Sequence, residues 1–172
     1  NDGICEIIVS NPKNQAVFKW RGPQQKWLTS NFNLPKDVHI VRKDGRDNGV
    51  RFVDINEDGY LDVIHSNEKR YSFHIYVPRP ILGWTIGWTR EVMANLRSDA
   101  NAIPMIVRGE EHNNNGAWFH SRHLWVQNED TAHLPDLVDR RSFDKLLRGV
   151  MPLPKSPDES VKAMKTLPGY KI

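Results

Sequence analysis

Short runs of β-branched and aromatic residues, separated by Gly, Asn, Asp and Pro, set the pattern of the first 90 positions. Ile7-Ile8-Val9, Val38-His39-Ile40-Val41, Arg51-Phe52-Val53, Leu61-Asp62-Val63-Ile64 and Phe73-His74-Ile75-Tyr76-Val77 each read as a strand. Strong helical periodicity is missing there. Further on, Leu124-Trp125-Val126 reads as one more strand. From Leu134-Pro135-Asp136 the spacing of Leu137, Phe143, Leu146, Leu147 and Val150 suits a short helix, stopped by Gly149 and Pro152. Pro152, Pro154 and Pro157 then predict an extended linker. At Ser156-Pro157-Asp158-Glu159 a serine can cap a second helix, with proline in its first turn and two acids at the positive end of its dipole.

The strand pattern repeats. Asn1-Asp2-Gly3 through Ser10-Asn11 aligns with Glu57-Asp58-Gly59 through Ser66-Asn67, 56 residues later: Asp-Gly, an acid three residues on, a β-branched run and Ser-Asn all recur. Val17-Phe18-Lys19-Trp20 then faces Phe73-His74-Ile75-Tyr76. A fixed period of this length, with several short strands per unit, predicts propeller-type blades. Asn114-Asn115-Gly116-Ala117-Trp118-Phe119 echoes Asp47-Asn48-Gly49-Val50-Arg51-Phe52 without the acids, so residues 91–133 form either a degenerate third blade or a capping segment. The expected fold class is mainly β: a partial β-propeller, with two repeats over 1–90 and a helical, Pro-rich connector over 134–172.

Within the second repeat, Asp54-Ile55-Asn56-Glu57-Asp58-Gly59-Tyr60-Leu61-Asp62 carries the sharpest chemistry. Side-chain oxygens at alternate positions, Asp54, Asn56 and Asp58, can turn inward on a tight loop. Gly59 permits the reversal, the Tyr60 carbonyl can point back and Asp62 closes the cage. Hard oxygen donors in this number favour Ca²⁺ over softer or smaller ions. An EF-hand would need a glutamate where His65 stands, and helices where strands flank the loop. Asp2 and Glu6 are the surviving half of the same loop in the preceding repeat.

Composition narrows the setting. Among 172 residues, 38% are hydrophobic and 26% charged, with 24 basic side chains against 21 acidic. A net charge of +3 is too small and scattered for a nucleic-acid partner. No apolar run reaches the roughly 18 residues of a membrane span. The single cysteine, Cys5, allows no internal disulfide. Both ends read as cut, so a longer polypeptide is expected, its other domains or associated chains being the partners.

Residues 49–64, from Gly49-Val50-Arg51-Phe52 through the acidic loop to Val63-Ile64, resemble an FG-GAP/VCBS repeat, the calcium-binding blade unit of integrin-type β-propellers. That resemblance implies Asp54, Asn56, Asp58, Tyr60 and Asp62 as calcium ligands, a structural ion and an extracytoplasmic location. The back half, from Asn114 to Thr131, Leu134 to Phe143, Lys155 to Ser160 and Pro168 to Ile172, is similar to connectors in large secreted proteins of planctomycete-type bacteria. In those, such repeats precede a sorbosone-dehydrogenase-like propeller that often bears a c-type haem domain. The absence of Cys-x-x-Cys-His puts any haem-bearing part outside this chain.

His112, His120, His123 and His133 fall close together in sequence. With Arg122, His120 and His123 are expected as polar residues of a domain junction, the second choice being a shared active site. The six tryptophans come in three pairs, Trp20 with Trp27, Trp84 with Trp88 and Trp118 with Trp125. They are expected as blade core, with a carbohydrate platform as the alternative. The function this predicts is a calcium-stabilised, non-catalytic repeat module. Its alternatives are part of a dehydrogenase-like oxidoreductase, or a glycan- or protein-binding propeller face.

Overall fold

A computed structural model describes residues 6–98, 102–109, 113–152 and 155–163. Strands β1 (Glu6–Ser10), β2 (Gln15–Arg21) and β3 (Lys26–Thr29) form one antiparallel sheet. Strands β4 (Val50–Val53), β5 (Asp62–Ser66), β6 (Arg70–Val77) and β7 (Gly87–Leu96) form a second, a four-stranded meander. A short ladder of β8 (Val107–Arg108) with β9 (Asn113–Asn114) leads into a third sheet of β10 (Ala117–His120), β11 (His123–Val126) and β12 (Asp139–Ser142). Two short helices follow, α1 (Phe143–Leu146) and α2 (Pro157–Ala163). The protein is mainly β, as the strand pattern predicts.

Alternation along β6 explains why the middle sheet is buried on both faces. Phe73 and Ile75 join Ile64 from β5 in a core with Ile103, Ile106, Leu124, Val126, Phe143 and Leu146, toward the third sheet. On the opposite face Val50, Val63 and Trp88 pack with Val17 and Leu34, toward the first sheet. Three sheets therefore follow one another in space in the order of the chain.

The repeat is visible in the fold as well as in the sequence. β1 and β5 lie 56 residues apart, and the hairpins β1–β2 and β5–β6 correspond. At the end of the first of these strands stands an asparagine that closes the turn: Asn11 Oδ1 accepts from the N–H groups of Lys13 and Asn14, at 2.9 and 3.0 Å. Asn67 Oδ1 accepts likewise from Lys69 and Arg70, at 2.9 and 3.1 Å. Asn128 Oδ1 accepts from Asp130 N–H at 2.9 Å after β11.

A second asparagine relates the middle and third units. Asn67 Nδ2 donates to Asn48 Oδ1 at 2.9 Å, and Asn128 Nδ2 donates to Asn115 Oδ1 at 3.0 Å. Asn48 Nδ2 in turn holds the His39 carbonyl, and Asn115 Nδ2 the Met105 carbonyl. Each is followed by a left-handed glycine, Gly49 at φ +79° and Gly116 at φ +67°. A Cβ there would lie 2.4 Å from the Ser66 carbonyl oxygen or 1.9 Å from that of Gln127. The segment expected as a degenerate blade or a cap thus reproduces the hydrogen-bonded framework of the second repeat.

Several expectations are corrected. Residues 38–41 are not a strand; they form a loop with one isolated bridge, Val41 to Asp47. Asp37 at φ +67° turns the chain just before this run, and Ile40 N–H donates to the side chain of Ser10 in β1 instead of to a backbone carbonyl. Val38 is apolar because it fills the core between the first two sheets. The helix expected from Leu134 is largely absent, since Asp136 and Leu137 take left-handed φ near +58° and +59° and the chain then pairs as β12 with β11. One turn of helix remains at Phe143–Leu146, its N-terminus capped by Ser142 Oγ. The boundary expected at residue 90 falls inside β7. The helix expected after Ser156 is present as α2.

Candidate metal loop and its surroundings

β4 ends at Val53 and β5 begins at Asp62, register partners across the hairpin. The intervening residues 54–61 form the loop. Its acids are organised on the loop's own backbone: Asp54 Oδ1 accepts from Asp58 N–H at 3.1 Å and Asp54 Oδ2 from Gly59 N–H at 2.9 Å. Asp58 Oδ1 accepts from Tyr60 N–H at 2.9 Å, while Asn56 Nδ2 donates to Asp58 Oδ2 at 2.9 Å. Glu57 at φ +58° and Gly59 at φ +88° supply the two left-handed residues that make so tight a coil.

Asp62 anchors this loop to the sheet. Fully buried, it accepts from Ile55 N–H at 3.0 Å through Oδ2 and from Tyr76 N–H at 2.9 Å through Oδ1. Burial pushes its carboxyl up to about 7. The two backbone donors pull the other way, and the charges of Asp58 and Asp54 add to the upward push. Beneath the loop, Tyr60 stacks on Tyr76 with centroids 5.4 Å apart, and Trp88 Nε1 donates to the Leu61 carbonyl at 2.7 Å.

The donors are all oxygens: three carboxylates, one amide and one backbone carbonyl, on nine consecutive residues. Among the described residues no three His, Cys, Asp or Glu side chains converge on a common point as a metal cluster. A cation here would therefore use the Asn56 amide and the Tyr60 carbonyl beside the acids, as calcium loops do. The Asp62 carboxyl is raised first by burial and, to a lesser degree, by the charges of Asp58 and Asp54, a repulsion that a divalent cation would relieve. The all-oxygen donor chemistry of the loop is of the kind Ca²⁺ takes.

Of the partial first loop, Asp2 lies outside the described residues, and Glu6 is exposed at the start of β1. In the third unit the corresponding connection shrinks to a two-residue turn, Ser121 and Arg122, both at positive φ. Arg122 reaches from it to the acidic loop, pairing with Glu57 and, at 3.0 Å, with Asp144.

His120 and His123 are cross-strand partners flanking that turn. His120 Nδ1 lies 2.8 Å from Ser121 Oγ and His123 Nδ1 lies 2.7 Å from the Ser121 carbonyl, so both rings serve the hairpin. His133 is exposed and His112 lies outside the described residues.

Of the tryptophans only Trp88 is buried. Trp20 with Trp27 and Trp118 with Trp125 are instead cross-strand pairs on the outer faces of the first and third sheets, with centroids 5.4 and 6.0 Å apart. Trp84 lies under the Arg90 guanidinium.

Sequence reasoning missed a polar group between the first two sheets. His65, Ser72 and His74 are buried on the face of the middle sheet that looks toward the loop 35–38. The signal lay in the strand runs themselves, where polar residues occupy inward positions.

Antiparallel sheets that succeed one another in chain order, tied by recurring asparagines, define a β-rich repeat protein. Residues 1–65 match the family model of the FG-GAP-like repeat. No curated protein and no solved structure matches the chain. The similarity of the back half to dehydrogenase-linked connectors finds no support in these comparisons. Among the described residues no helix is long and apolar enough to cross a membrane.

Proposed function

We propose that this chain is a calcium-stabilised β-propeller repeat module, a non-catalytic scaffold or interaction part of a larger extracytoplasmic protein. The observation that carries the reading is the loop 54–62, whose Asp62 is rooted in the sheet; Asp54, Asn56, Asp58, the Tyr60 carbonyl and Asp62 would be the ligands. The ion would offset the mutual repulsion of the three acids and so hold β4 to β5; its role there is structural. FG-GAP repeats commonly occur in extracellular proteins, where calcium is plentiful enough for a site of about 0.1 to 1 mM affinity.

The scaffold reading is supported by the two end faces of the stack. The first sheet turns Ile7, Val9 and Trp27 outward, 45%, 38% and 41% exposed, and the third turns out Trp118 at 40%. Further blades, from the same polypeptide or from associated chains, would cover these faces. Membership of a dehydrogenase-type parent rests on the resemblance of the back half alone, and the complete reading frame tests it.

The calcium reading is tested by thermal melting with and without the ion. At 10 mM Ca²⁺ and the affinity above, mass action adds about 1.4 to 2.7 kcal/mol. For a chain of this size that is about 3 to 10 °C in Tm. Excess chelator removes the gain, and Asp58→Ala removes the response. A melting curve indifferent to both calcium and chelator would refute the proposal.

A further inference from the structure

A cavity of about 440 Å³ opens between the second sheet and the segment that follows α1. That volume falls in the range of about 300 to 1,000 Å³ usual for small-molecule sites. Ile75 of β6 and Arg90 of β7, register partners, both line it. Leu147 and Val150 contribute apolar surface from the segment after α1, and Ile81 from the loop after β6.

Arg90 is the residue that asks for a ligand. It is 7% exposed, a depth at which a guanidinium is ordinarily paired with an acid. Among the described residues it forms no ion pair: Nη2 donates to the Met151 carbonyl, and the guanidinium carbon lies 4.7 Å from the centre of the Trp84 ring. Burial lowers its pKa, with the charge of Asp62 opposing in part. Nε and Nη1 are not sealed, because the polar atoms buried without a partner among the described residues are those of His65, Ser72 and His74 alone. Arg90 thus keeps N–H groups to offer to an occupant of the cavity it lines.

Charge and wall together set the class of that occupant. Half-buried Arg79 and exposed Lys155 line the same cavity, as do Glu57 and Asp58 of the acidic loop, so three cations face two acids. Glu57 is already met by Arg122. The balance favours one negative charge over a dianion or a cation. A guanidinium edge takes a carboxylate through parallel hydrogen bonds, and Ile75, Ile81, Leu147 and Val150 suit a hydrocarbon body. We propose that the cavity between Arg90 and segment 147–150 binds a small apolar monocarboxylate. The site does not depend on an ion in the acidic loop, since Arg90 and the apolar wall belong to β6, β7 and the segments after β6 and α1.

The test is a titration of the isotope-labelled chain, followed by backbone amide shifts, with hexanoate, 3-phenylpropionate and indole-3-acetate, each to about 50 mM. The matching primary amides and inorganic phosphate are the comparisons, and the series is run both with Ca²⁺ and with chelator. Saturable shifts with at least one of the acids, centred on Ile75, Arg90, Leu147 and Val150, are expected under both conditions. The amide of that acid should bind at least tenfold more weakly, because it forfeits a charge-assisted hydrogen bond. Arg90→Met, with its strands checked by circular dichroism, should weaken the acid about ten- to hundredfold for the same reason. Lys155→Glu, at an exposed position, should weaken it about two- to fivefold. If Arg90→Met does not fold, the acid-to-amide ratio on the unaltered chain decides. Amides or phosphate binding as tightly as the acids, shifts centred elsewhere, a folded Arg90→Met that binds unchanged, or no saturable shift with any of the three acids would overturn the assignment.

Discussion

Removing the Asn67 side chain should be the most damaging of the three equivalent asparagine truncations, and the structure says by how much. Asn67 is 4% exposed. Its amide nitrogen reaches Asn48 Oδ1 at 2.9 Å and His65 Nε2 at 3.1 Å, and its oxygen accepts from two backbone N–H groups. Each such bond is worth about 0.5 to 1.5 kcal/mol net. Water can replace the two turn bonds in part, because Lys69 and Arg70 are exposed, so the expected cost of Asn67→Ala is about 2 to 3 kcal/mol. Asn128 keeps the pairing to Asn115 but is only half-buried, and Asn11 makes the turn bonds alone at a more open site. Asn128→Ala should therefore cost about 1 to 2 kcal/mol and Asn11→Ala about 1 kcal/mol or less. Urea unfolding of the three variants at one temperature, with the slope of the transition held in common, measures the series. Equal losses for all three, or a smaller loss for Asn67 than for Asn11, would refute the view that this residue joins two loops through a buried contact.

Acid should weaken the fold in two windows. The folded-state pKa of His65 and of His74 is lowered by burial from 6.5 to about 4, so the unfolded chain takes up protons first. Their contribution is complete above about pH 6.5 and is lost as pH falls toward 4, by at most about 1.4 kcal/mol per pH unit for each ring. The raised carboxyl of Asp62 works in the opposite sense over the same window, so His74→Gln should remove at most about 1.4 kcal/mol per pH unit from the net slope in urea titrations at stepped pH. The carboxyl of Glu68, held down to about 2 by its paired hydrogen bonds to Arg42, loses its contribution lower still, as pH drops from about 4.5 toward 2. Gly116→Ala should abolish soluble folded protein, because its Cβ would overlap the Gln127 carbonyl. Gly45→Ala, at φ +83° but in open space, should cost only about 1 to 2 kcal/mol by thermal melting.

The sequence made some of this plain and hid the rest for identifiable reasons. Strands such as Phe73–Val77 were legible because β-branched and aromatic residues run between turn formers. The acidic loop was legible because its chemistry is local, with every donor within nine residues. Val38–Val41 misled because burial between sheets selects the same side chains as pairing within one. Asp136 and Leu137 misled because two non-glycine residues take left-handed backbone where an apolar spacing suggests a helix. The recurring Ser-Asn marks the repetition, while the bond of Asn67 to Asn48 depends on a turn brought from 19 residues away. The outer Trp pairs and the buried polar group of His65, Ser72 and His74 emerge only from strand register, which no single segment contains.

The most direct test of the calcium reading is equilibrium titration of the chain with Ca²⁺ by calorimetry, beside Asp58→Ala shown by circular dichroism to keep its strands. The expected result is one saturable ion per chain, with a dissociation constant of about 0.1 to 1 mM, absent in the variant. No saturable heat up to about 10 mM, or an isotherm unchanged by Asp58→Ala, would contradict the account.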